Sequence, residues 1–168
     1  NCNLLRETLR REPCNTNLEK EMEMDEEALW EHVEEWYKRG VDFRVMVKRW
    51  SFPERPRNLG EGRQVWNVYA YIYPKHRLWD SFEGTDMFQP AASALPLHCG
   101  PSFLQYNIGE AGKVESLQVG SDYHHLGDER FSHYKTREDA WEVFQDAEEL
   151  FAYLSTNPED TNTEKEEQ

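Results

Sequence analysis

The sequence predicts an α+β domain, with an antiparallel sheet of about four strands and N- and C-terminal helices packed on one face. Three observations carry this reading. Residues 42–50 and 65–73 are alternating or wholly apolar runs either side of a Pro- and Gly-rich stretch, the pattern of two strands joined in a long hairpin. Residues 102–108 and 113–120 are β-rich and flank Gly109-Glu110-Ala111-Gly112, a second hairpin. Helical periodicity at 26–39 and 136–154 frames both pairs, and helices set outside a run of strands belong to α+β architecture.

The elements follow in chain order. Residues 1–24 form a polar extension, and 25–155 the domain. The opening stretch has no apolar run of signal-peptide type. Asp25 is placed to cap a helix over 26–39, with Gly40 just past its end. Leu29, Val33, Trp36 and Tyr37 fall at i, i+4, i+7 and i+8, one apolar stripe. In 42–50, Phe43, Val45 and Val47 face one way and Arg44, Met46 and Lys48 the other, a strand with a basic outer face. Residues 65–73 are apolar or aromatic on both faces and should be central. Four prolines punctuate 74–101, leaving room for short helices near Leu78–Phe82 and Met87–Ala94. Residues 121–135 read as a polar, His-rich loop. Thr136 then caps a helix on which Ala140, Phe144, Ala147, Phe151 and Leu154 recur at helical spacing, ending before Asn157-Pro158. Residues 156–168 are acidic and polar, a tail expected to be disordered.

Composition narrows the function classes. The 168 residues are 31% charged and 13% aromatic, with a net charge of -14. No apolar run approaches the roughly 18 residues of a transmembrane helix, so no membrane association is expected. Charge is unevenly spread: 17–35 hold nine acids and one base, 138–168 eleven acids and one base, and 38–77 ten bases and three acids. Such a molecule repels nucleic-acid phosphate and suits a basic protein surface. Cys2, Cys14 and Cys99 form no C-x-x-C pair, which points to a reducing, cytoplasmic setting rather than a disulfide framework.

Two clusters could carry chemistry. Residues 121–133 offer Asp122, His124, His125, Asp128, Glu129 and His133. Imidazole and carboxylate together suit a transition metal, with His124, His125, Asp122 and Asp128 as candidate ligands, although the spacing matches no zinc signature. His98 beside Cys99 suggests an activated thiol; a Pro/Gly turn with Cys99 as a small buried hydrophobe is the plainer expectation. There is no phosphate-binding glycine loop, dinucleotide fingerprint or serine-hydrolase elbow, so no catalytic residue is assigned and no cofactor is expected. The basic face Arg44, Lys48, Arg49, Arg55 and Arg57 reads first as a counterweight to the acidic helices.

Residues 95–104 (LPLHCGPSFL), 119–131 (VGSDYHHLGDERF), 136–154 and the WNVYAYIYP strand at 66–74 resemble stretches of small uncharacterised proteins of bacteriophages and prophages. The resemblance spans about 43–154 and brings no site residues with it. It implies an accessory protein in the bacterial host cytoplasm that blocks a host-defence or nucleic-acid-handling complex, an anti-CRISPR type of role, with imitation of nucleic acid as one means. The expected partner is then a basic protein or protein–nucleic-acid complex. The partner-binding residues would be the carboxylates of two acidic helix faces, Glu27, Glu31, Glu34 and Glu35 on the first and Glu138, Glu142, Asp146 and Glu149 on the last, with Trp141 as aromatic anchor. The alternative is a metal- or histidine-dependent enzyme or ligand-binding protein built on the His-rich loop.

Overall fold

A computed structural model describes residues 31–51 and 63–156. It is a mixed α/β fold around an open, fully antiparallel five-stranded sheet. The strands are β1 (Glu31–Gly40), β2 (Phe43–Ser51), β3 (Gln64–Ile72), β4 (Phe103–Ile108) and β5 (Val114–Asp122), in spatial order β1-β2-β3-β5-β4. Among the described residues the α-helices are α1, the single turn Pro90–Ser93, and α2, Trp141–Ser155. Short 3-10 turns occupy Trp79–Ser81 and Glu129–His133.

The two expected hairpins form. β2 pairs with β3 from Phe43↔Ile72 to Ser51↔Gln64, and β4 pairs with β5 across the Gly109–Gly112 turn. The chain between the hairpins crosses to the far edge, so β5 lies beside β3 and closes the sheet.

The expected helix over 26–39 is corrected: from Glu31 onward the segment is strand β1, and the count rises from four strands to five. Among the described residues there is therefore one long helix rather than a pair. The physical reason is pairing. Read at a period of two, Glu34 lies opposite Arg49, Glu35 opposite Lys48 and Trp36 opposite Val47. Glu34 accepts from the Arg49 guanidinium at 3.0 Å, and Trp36 stacks on Trp66 with centroids 5.8 Å apart. Cross-strand complementarity of this kind outweighs a helix propensity that is only a weak prior. Glu34, Trp36 and Lys38 share one face by alternation, and a bulge at Val33 shifts His32, opposite Trp50, to the other. Gly40, read as a helix end, instead closes the β1–β2 hairpin. A Cβ there would meet the Phe43 ring. The proposed Asp25 cap, Glu27, the 1–24 extension, Arg55, Arg57 and residues 157–168 lie outside the described residues.

The helical face of the sheet holds the core. Val45, Val47, Trp66, Val68, Ala70, Ile72, Leu117 and Val119 are buried beneath Val143, Ala147, Leu150 and Leu154 of α2. α2 begins at Trp141, five residues later than expected. Thr136 still caps the preceding turn, its hydroxyl accepting the Asp139 N–H at 3.2 Å. At its other end His76 and Arg77 donate to the Leu154 and Tyr153 carbonyls at 3.0 and 2.8 Å, supplying partners that a helix C-terminus lacks. Phe131 and Tyr123 extend the core past the end of β5.

Candidate functional site: a histidine–carboxylate–thiol cluster

Three chain segments meet at the end of β5. Asp122 closes the strand, and Tyr123 continues its ladder by donating its N–H to the Trp66 carbonyl at 3.0 Å. A tight turn follows, in which the Asp128 N–H reaches the His125 carbonyl at 3.0 Å and Gly127 takes a positive φ of 98°, the backbone state glycine adopts without cost. The second segment is the turn Leu97–Gly100 after α1, closed by a Gly100 N–H to Leu97 carbonyl bond of 2.9 Å. The third is α2, which contributes Asp146.

Asp128 is the hub. Its side chain is 7% exposed, and it accepts from the His125 N–H at 2.9 Å. His98 Nε2 lies 3.0 Å from both of its oxygens, and His125 Nδ1 3.3 Å from one. Burial alone would raise its pKa; the hydrogen bonds from His125 and His98, with the His98 charge, outweigh that and hold the carboxyl below the usual range. His98 is clamped on its faces as well. It stacks on Tyr123 at 4.3 Å and 13°, and meets Phe131 edge-on at 5.8 Å. Tyr123 donates its hydroxyl to Asp146 at 2.6 Å, and burial, followed by that carboxylate, pushes its pKa far up. Asp146 Oδ2 is 4.0 Å from His98 Nδ1.

Cys99 completes the group. One donor atom each from His98, Cys99 and His125 lies within 4.8 Å of the other two. The expectation of a buried Cys99 is corrected: the thiol is free and exposed. Its φ is 53°, the left-handed region, at the turn position that favours glycine. A non-glycine residue there costs about 1–2 kcal/mol.

Of the expected metal ligands, His125 and Asp128 are in the cluster. Asp122 is at its edge, 3.8 Å from His125 Nδ1 and holding the Ser102 hydroxyl and the His124 N–H. His124 is exposed and is not one of the three grouped donors. His98 and Tyr123 were not among the expected ligands. Asp128 lies thirty residues beyond His98, and no local spacing connects them.

The acidic residues expected to meet a partner are dispersed. Glu31, Glu34 and Glu35 are on β1 instead of a helix. Glu34 pairs with Arg49, and Glu35 lies 3.8 Å from Lys48. Glu142 pairs with Arg130 at 3.1 Å, and Asp146 faces Tyr123. Glu138 and Glu149 are exposed, as is Trp141 at 60%. No helix among the described residues is long and apolar enough to cross a membrane.

The chain matches no known family model, no curated protein and no solved structure.

Proposed function

We propose that this protein is a small metal-dependent enzyme or ligand-binding protein, with a divalent transition ion held by His98, Cys99 and His125. The observation that carries the reading is the convergence of two imidazoles from separate turns on one buried carboxylate, with the Cys99 thiol within 4.8 Å of a donor nitrogen of each. Two nitrogens and a sulfur suit zinc, and three protein donors leave a fourth position for water or substrate. Bound there, the ion would polarise a ligand oxygen or activate a water. Asp128 is the orienting group: it fixes the ring direction and tautomer of both histidines, as carboxylates behind metal-binding imidazoles do. Tyr123 and Phe131 form a dry floor beneath His98.

Elemental analysis of the purified protein tests this. Wild type should carry near-stoichiometric zinc and lose thermal stability on chelation. His125→Ala and Cys99→Ser should lose the metal. Equal metal content in wild type and both variants, with no response to chelator, rejects the reading.

A second reading, the acidic inhibitor of a basic host complex, draws support from Trp141, which is exposed, as are Glu138 and Glu149. Its test is charge reversal of Glu138, Glu142 and Glu149 to Lys. Capture of a basic bacterial partner by wild type, lost in the triple variant and at high salt, supports it. Asp146 is left out because reversing it would disturb Tyr123.

A further inference from the structure

One edge of the cluster borders a pocket of about 500 Å³. His125 and Asp128 belong to its wall, together with Arg63, His124, Ser132, His133 and Glu129. Its polar groups are unequally committed. Asp128 is saturated by the two clustered histidines, and Ser132 donates to the Glu129 carbonyl at 2.6 Å. Among the described residues, the Arg63 guanidinium and the rings of His124 and His133 make no hydrogen bond or ion pair. The uncommitted side chains of the pocket are therefore one guanidinium and two imidazoles that can donate, beside the Glu129 carboxylate.

We propose that this pocket binds the phosphoryl group of a small ligand. The proposal rests on the metal reading above: one phosphoryl oxygen takes the open position of the ion held by His98, Cys99 and His125, and others meet Arg63 and the ring N–H groups of His124 and His133. A tetrahedral phosphoryl group has enough terminal oxygens to bridge an ion and a guanidinium fork, whose spacing matches two of them. The acidic surroundings repel an extended polyanion such as a nucleic-acid backbone. A small phosphate ester escapes most of that repulsion, and the volume leaves space for the group it esterifies.

The experiment loads the protein with cobalt(II), which takes nitrogen–sulfur sites, and titrates it with orthophosphate. Thiolate-to-cobalt absorption reports the ion, and phosphorus relaxation reports phosphate beside it. The expected result is a thiolate band together with accelerated phosphate relaxation. Arg63→Met should weaken phosphate binding about tenfold, the loss typical of a charged hydrogen bond, with the band unchanged. Arg63 is exposed, so this variant should keep the fold, which circular dichroism checks. A normal band with phosphate relaxing no faster than beside chelated cobalt overturns the proposal and leaves the metal reading standing. Acetate binding as tightly as orthophosphate also overturns it. No band, but Arg63-dependent phosphate binding to the metal-free protein by calorimetry, supports the pocket's ligand class and removes the metal reading instead.

Discussion

Cys99 occupies a backbone position that glycine would fill without strain. Cys99→Gly relieves that strain while enlarging the entropy of the unfolded chain, two terms of about 1 kcal/mol and opposite sign. Denaturant titration should therefore find stability within about 1 kcal/mol of wild type, while elemental analysis finds the metal lost. Retained metal would mean that the thiol is not a ligand. Asp128 should behave differently. Asp128→Ala strands two histidines and the His125 N–H in a largely buried site, so stability should fall by roughly 2–4 kcal/mol. A loss below about half a kcal/mol would show that the carboxylate does not organise the cluster.

Helix α2 is the element that ties the sheet together. Phe144 packs edge-on against both Trp36 and Trp66, at 5.2 and 6.1 Å, so it joins β1 and β3 to the helix. Because it is only partly buried, Phe144→Ala should cost about 2–3 kcal/mol, below the range for a fully buried phenylalanine. Double-mutant coupling with Trp36→Ala should be measurable; strict additivity would place β1 off the helix. The other end of α2 predicts a pH dependence. The buried His76 accepts the Leu78 N–H on Nδ1 and donates from Nε2 to the Leu154 carbonyl, an arrangement that needs the neutral ring. Burial lowers its pKa; the Leu154 bond opposes that, Arg77 adds to it, and Asp42 opposes it. A base depressed in the fold contributes stability that is full above its ordinary value near 6.5 and lost as pH falls toward the folded value. Melting temperature should drop below pH 6.5 more steeply in wild type than in His76→Gln. Parallel profiles would assign the acid sensitivity elsewhere.

At the scale of the molecule, a net charge of -14 repels itself, while the ion pairs Glu34–Arg49, Lys38–Glu148 and Arg130–Glu142 attract across the surface. Exposed pairs are worth about 0–1 kcal/mol each, and self-repulsion acts over the whole chain. Screening should relieve more than it removes. Melting temperature is expected to rise as sodium chloride increases from low to about 0.5 M, over which the screening length shrinks from tens of ångströms to a few. A fall would mean that the pairs dominate.

The legible parts of this fold are those that local chemistry determines. Both hairpins could be read from strand patterning and turn residues, because their partners are neighbours in sequence. α2 could be read from its apolar period, and Thr136 from its cap. The sequence also offered His125 and Asp128 as site residues, since their donor types sit together in one loop. Tertiary structure decided the rest. Residues 31–40 carry a period compatible with helix or strand, and the choice fell to the basic, apolar edge of β2 that they pair with. His98 joined Asp128 only because the chain between the hairpins crosses the sheet and brings the turn after α1 against the end of β5. That meeting depends on burial and topology, which have no signature at any fixed sequence spacing.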